Sequence, residues 1–146
     1  MPLYTVTKTR TALNTSNDSI TIAASSTKPL RVYMIDSKGA DSSSTPNEIV
    51  CARSSGGTTG GGGITPSPIN RNSSAASFSA YTTWTAQPTL GAVLWRLAPN
   101  ANGGKDTFVA IPGAEIQIPV SGQMSLRSAS GVSNVVLNLL IEEVDG

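Results

Sequence analysis

Apolar and polar residues alternate with a period of two along most of this chain, the spacing of strands that bury one face. Near the start, Tyr4, Val6 and Lys8 oppose Leu3, Thr5 and Thr7, and Ile20 and Ile22 repeat the pattern within DSITIAA. In LRVYMID, Leu30, Val32 and Met34 share a face against Arg31 and Tyr33, ahead of the turn-rich SKGADSSSTPN. EIVCARS is apolar on both parities, with Ile49 and Cys51 on one side and Val50 and Ala52 on the other. That predicts a strand covered on both faces. GAVLWRLA sets Val93, Trp95 and Leu97 toward a core, and ANGGKD reads as the hairpin connection to DTFVAIPG. EIQIPV and QMSLRS predict a meander, with Ile116, Ile118, Val120, Met124 and Leu126 inward and a tight turn at Ser121 and Gly122. NVVLNLLIEEV aligns Val135, Leu137, Leu139 and Ile141, enough for a central strand. About eight or nine short strands without an amphipathic helix predict an all-β, single-domain antiparallel β-sandwich over residues 1–146, with jelly-roll connections as one option.

The stretch from Ser54 to Leu90, SSGGTTGGGGITPSPINRNSSAASFSAYTTWTAQPTL, breaks this regularity. Long aperiodic segments inside a domain are usually functional, and this one carries Ile64, Ile69, Phe78, Tyr81 and Trp84 as anchoring groups. The expectation is an inserted, extended arm over 54–90 that packs on a neighbouring subunit. Four consecutive glycines suit a hinge or a closely packed backbone. Pro66 and Pro68 then hold the chain extended. A phosphate-binding loop is excluded, because Ile64 and Thr65 stand where Lys and Ser or Thr are needed. For Phe78, Tyr81 and Trp84 two readings stay open, a flap on the domain's own core or plugs in a partner's pockets. Leu3 and Tyr4, on the N-terminal strand, join Ile64, Ile69, Phe78, Tyr81 and Trp84 as the candidate partner interface.

Composition narrows the chemistry. Charged residues make up 13% of the chain and the net charge is +1, while 20 Ser and 16 Thr supply the polarity. A surface of that kind suits neutral contacts between copies rather than electrostatic recruitment by nucleic acid. With no histidine, His-based metal sites and Ser-His-Asp triads are excluded. No cofactor, metal site or catalytic residue is assigned, and the chain reads as a non-enzyme. Cys51, the single cysteine, reads as a buried strand residue. MPLYTVTKTR has no signal-peptide core and no run is long enough to cross a membrane as a helix, which predicts a soluble chain made in the cytoplasm.

Glu48 and Glu115 pair with nothing in the sequence, and Glu142, Glu143 and Asp145 read as a solvated acidic tail. Asp36, Asp41 and Asp106 fall in or beside turns. Arg10, Arg31, Arg53, Arg71, Arg96 and Arg127 are dispersed, unlike a nucleic-acid footprint, and Arg96 and Arg127 are expected to pair with Glu142 or Glu143.

The segments YTVTKTRTAL, ARSSGGTTGGGGITPSPIN with its following TTW, LWRLAPNANGGKD and SLRSASGVSNVVLNLLIEE together resemble the capsid decoration, or cement, proteins of tailed bacteriophages. The resemblance is one of style and segment order across most of the chain. It implies an all-β, usually trimeric or dimeric protein on the outside of the virion capsid, partnered by the major capsid protein and by its own copies, with no nucleic-acid or membrane partner. The alternative is a carbohydrate-binding β-sandwich, an adhesin or fibre component, with Trp84, Trp95 or Tyr81 stacking on sugar rings.

Overall fold

The computed structural model describes residues 2–42 and 44–145, and all regular structure among them is strand. In chain order the strands are β1 (Leu3–Ala12), β2 (Asp18–Ala23), β3 (Leu30–Gly39), β4 (Glu48–Ser55), β5 (Thr58–Gly61), β6 (Ser67–Pro68) and β7 (Ser79–Tyr81). They continue with β8 (Thr83–Ala86), β9 (Thr89–Leu97), β10 (Lys105–Val109), β11 (Ile116–Ile118), β12 (Gln123–Ser130) and β13 (Asn134–Glu143). Sheet A runs β10-β3-β13-β1-β6, with β11 also on β3, and sheet B runs β7-β2-β12-β4-β9. Every pairing in the two sheets is antiparallel. Packed face to face, they enclose Val6, Val32, Ile35, Leu137, Leu139 and Ile141 from sheet A against Ile20, Ile22, Ile49, Cys51, Met124 and Leu126 from sheet B. This is the antiparallel sandwich that the alternation predicts, with β13 central between β1 and β3.

Several expectations change because alternation encodes which face a residue occupies, not which sheet it joins. The segments around 99–104 and 119–122 were expected to close a hairpin and a meander, yet β9 and β12 lie in sheet B while β10 and β11 lie in sheet A. Both connections therefore cross between sheets. Ser121, at φ 57°, makes the second crossing, which turns Val120 out to solvent instead of into the core. A register shift where β3 pairs with β13 flips parity after Tyr33, so Met34 pairs with Leu140 on the outer face and Ile35 takes the inward position. Two shifts in β9 act similarly on Val93, which is 45% exposed, whereas Trp95 keeps the register of the buried Leu97 and is 47% exposed because β9 is the open edge of its sheet. Asp36 lies within β3, where its carboxylate accepts from Thr107 Oγ1 at 2.7 Å. β4 is covered on both faces as predicted, and burial pushes the Cys51 thiol up to about 12.

The stretch from Ser54 to Leu90 leaves β4 at Ser55 and returns at Thr89, and these two residues are register partners. Between them the chain is a strap along its own sandwich rather than an arm extended away from it. β5 and β8 form a two-stranded ribbon, Ile64 bridges to Ala80, β6 adds to the β1 edge of sheet A and β7 adds to the β2 edge of sheet B. Phe78 enters the core between these edges, 4% exposed and edge-to-face with Tyr4. The glycines are here for close approach: a Cβ on Gly57 would lie 2.7 Å from the Trp84 ring, and one on Gly60 would lie 2.9 Å from Tyr81.

Because Phe78 fills space inside the sandwich, Phe78→Ala is expected to lower stability by about 3–5 kcal/mol, read from denaturant unfolding. A strap that merely rests on a complete core would leave the unfolding midpoint almost where it is in the parent chain.

Candidate functional site

Three places on this framework gather groups with binding chemistry. The first is a polar cluster on the outer face of sheet B. Asp18 opens β2 with its side chain fully buried, and Arg127 of β12 donates to Asp18 Oδ1 from Nε at 2.8 Å and from its terminal nitrogen at 2.7 Å. Thr21 Oγ1 donates to the other carboxylate oxygen at 2.6 Å, and Ser125 Oγ donates to the same atom. Strap groups complete the cluster. Trp84 Nε1 donates to Thr21 Oγ1 at 3.0 Å, Gln87 Oε1 accepts from the Asp18 amide at 2.9 Å, and the Pro88 carbonyl accepts from Arg127 at 3.0 Å. Every oxygen of the carboxylate is satisfied, which is what makes a buried charge tolerable. The cluster fastens the returning limb of the strap.

A second fastening lies at the far end of β13. Glu143 is 1% exposed, and its carboxylate accepts from the Ser77 amide at 3.0 Å and from the Ser77 hydroxyl. The expected solvated tail is thus corrected here, because Glu143 shares the inward parity of Ile141 and meets the strap there. Burial, and next to it the negative charge of Glu143, holds the Tyr4 phenol above its ordinary value, while Tyr4 Oη donates to the Ser74 carbonyl at 2.9 Å. The expected arginine pairs are also corrected. Arg96 binds Glu48 on the neighbouring strand and Arg127 binds Asp18, while Glu142 takes Arg31 and the Tyr33 hydroxyl. Sheet membership separates the two sets, since Arg96 and Arg127 lie on β9 and β12 of sheet B and Glu142 and Glu143 on β13 of sheet A. The Arg10 side chain lies outside the described residues.

The candidate interface residues divide among these places. Phe78 and Tyr4 are buried, and Ile64 packs against the core. Tyr81 and Trp84 pack edge-to-face on each other, ring centroids 5.1 Å apart, over the Gly-rich limb. Leu3 and Ile69 meet in a cleft of about 520 Å³ between the N-terminal strand and the strap, walled by Asn70, Asn72 and Ser73. Ile69 is 59% exposed. The β1 edge runs on from there, paired to β6 at Tyr4 and Thr5 and bonded at the Leu3 carbonyl by the Ile69 amide at 2.9 Å. Lys8 bridges the gap beyond, its ammonium donating to the Ser19 carbonyl of β2 at 3.0 Å, and burial lowers its pKa.

The third place is on the opposite side, between the edges β9 and β10. Trp95 and Phe108 stack obliquely with centroids 5.0 Å apart, at a cleft of about 440 Å³ shared with Arg53, Leu94, Glu115, Ile116 and Gln117. The Arg53 guanidinium is fixed by donating to the Gln117 carbonyl at 2.8 Å. Backbone N–H groups of Glu115 and Gly113 hold the Glu115 carboxyl below the usual carboxylate range. Sequence reasoning set Trp95 toward the core and, in its alternative, on a sugar ring, but missed that Arg53, Glu115 and Gln117 gather around it. The available signal was that Val93, Leu94, Trp95 and Leu97 are apolar on both parities, a pattern a bulged edge strand accommodates. Among the described residues no cluster of three or more His, Cys, Asp or Glu is placed to hold a metal.

Removing Asp18 strands a guanidinium that is 14% exposed, so Asp18→Ala is expected to cost about 3–5 kcal/mol in thermal or denaturant unfolding. Asp18→Ala combined with Arg127→Met is expected to recover part of that loss, since no unpaired charge then remains buried. Compared with known proteins, this chain matches no family model, no curated protein and no solved structure.

Proposed function

We propose that this chain is a structural virion protein that binds the outer surface of a tailed-phage capsid and clamps neighbouring subunits, the strap side being its contact surface. One observation carries the reading: Ile69 stands exposed beside Leu3, on a sheet edge that β6 covers at only two positions. The Ile69 amide already bonds the Leu3 carbonyl, so the strand edge without a partner strand lies past Thr5, and an apolar anchor at the head of such an edge is a template for a further strand or loop from another chain. Its surroundings are neutral amides and hydroxyls at Asn70, Asn72, Ser73 and Ser74, beside the internally compensated Lys28 and Asp145 pair. Close, uncharged contact with repeated copies, the major capsid protein or this chain itself as a trimer or dimer, fits that lining. Binding that requires the assembled shell stabilises the shell by linkage.

Phe78, Tyr81 and Trp84 are committed within the chain, so Ile69 and Leu3 are what remain of the expected anchors on this side. Ile69→Asp is expected to weaken association with assembled capsids by about 2 kcal/mol or more, as for a central anchor, while leaving the melting temperature unchanged. Co-sedimentation with capsids and electron cryo-microscopy of the particle test it. Purified virions lacking the chain would overturn the reading.

A further inference from the structure

Trp84 and Tyr81 cannot serve as open stacking platforms. Each covers the other, and the indole N–H of Trp84 is spent on Thr21. Trp95 differs: one neighbour, Phe108, leans on it, and the residue is 47% exposed at the mouth of the cleft on the β9 and β10 side. Around it stand one cation, Arg53, one anion, Glu115, and the amide Gln117, over a floor of Leu94 and Ile116. The groove continues past Arg53 and Gln117 into a second cleft of about 390 Å³ lined by Pro29, Arg31 and Pro119.

We propose that this groove binds a neutral oligosaccharide, with one pyranose ring stacked on Trp95 and the chain running along β11 past Arg53 toward Pro119. The chemistry is specific to that class. A sugar ring presents an apolar C–H face that an exposed indole can cover and a rim of hydroxyls that both donate and accept. Arg53 has donors left after its bond to the Gln117 carbonyl, and Glu115 is an ionised acceptor. With one cation and one anion in its lining the cleft carries no net charge, which favours hydroxyls over an anionic or cationic ligand. Arg31, in the second cleft, is likewise matched by Glu142. Both clefts fall within the size range of small-ligand sites. The Trp95 end of the groove, on the β9 edge, lies across the sandwich from Ile69, while its far end at Pro29 and Val144 adjoins Lys28 and Asp145 of the Ile69 cleft; the stacking site itself stands apart from the capsid-binding reading.

A glycan array followed by saturation-transfer NMR on the full chain tests it. Neutral di- and trisaccharides are expected to bind more tightly than the corresponding methyl monosaccharide. Binding should fall at least about tenfold, roughly 1.4 kcal/mol, in Trp95→Ala and in Glu115→Gln. Glu115 is a rim residue whose replacement spares the core, so its loss of binding cannot be laid to unfolding. Tyr81→Phe, on the strap side, should bind as the parent does. No binding by neutral glycans at millimolar concentration, binding confined to charged glycans, or binding that survives both Trp95→Ala and Glu115→Gln would each overturn the proposal.

Discussion

A two-layer sandwich leaves four sheet edges whose backbone groups need partners, and the way this chain treats its edges organises the molecule. On one side a single excursion from β4 supplies a strand to each sheet, β6 for β1 and β7 for β2, and drops Phe78 between them. On the other side β9 and β10 stay open, β9 with two register shifts and a tryptophan leaning on Phe108. Shifts of that kind bend an edge and discourage strand addition, leaving side chains as the means of recognition there. The two sides therefore offer different surfaces, backbone beside Ile69 on one and a furnished groove beside Trp95 on the other.

What holds the closed side is polar rather than apolar. Ser and Thr give the strap little to bury beyond Phe78, Ala80 and Ile64, and its path is fixed by hydrogen bonds to the Glu143 carboxylate and to the groups gathered at Asp18, namely the Asp18 amide, Thr21 and Arg127. A buried carboxylate is unfavourable unless its acceptors are engaged, so Glu143 enforces one placement of Ser77, while Asp18 orients the Thr21 and Arg127 groups that the strap meets. Aromatic packing on glycine adds the same selectivity, since any side chain at Gly57 or Gly60 would displace Trp84 or Tyr81.

Much of this fold was legible in the sequence because the inward apolar residues of several strands recur with a period of two: Ile20 and Ile22 in β2, Ile49 and Cys51 in β4, Met124 and Leu126 in β12, and Val135, Leu137, Leu139 and Ile141 in β13 are buried as their parity assigns. The failures have local causes. Tyr33 and Leu94 lie at register shifts, so residues past them change faces, and Met34 and Val93 come out instead of in. Sheet membership was hidden at 99–104 and 119–122, where a crossing and a hairpin use similar turn residues. For the sites, the anchoring character of the Ser54 to Leu90 stretch could be read, but its targets are in β1, β2, β12 and β13, contacts that no local pattern encodes. Glu143 looked like part of a solvated tail for the same reason, and Asp18, at the head of DSITIAA, drew no reading at all.

The anchoring of Ser77 on Glu143 has a temporal side. Chains emerge from the ribosome N-terminal end first, and Glu143 lies 66 positions after Ser77. Until β13 is made, sheet A lacks the strand that joins β1 to β3, and Phe78 has no finished cavity to enter. The strap must wait, tethered where Ser55 meets Thr89, as a loose loop of glycine, serine and threonine. Its glycines, prolines and serines break up every apolar run, which keeps that interval safe from aggregation, and closure of the sandwich becomes an act of its last strand.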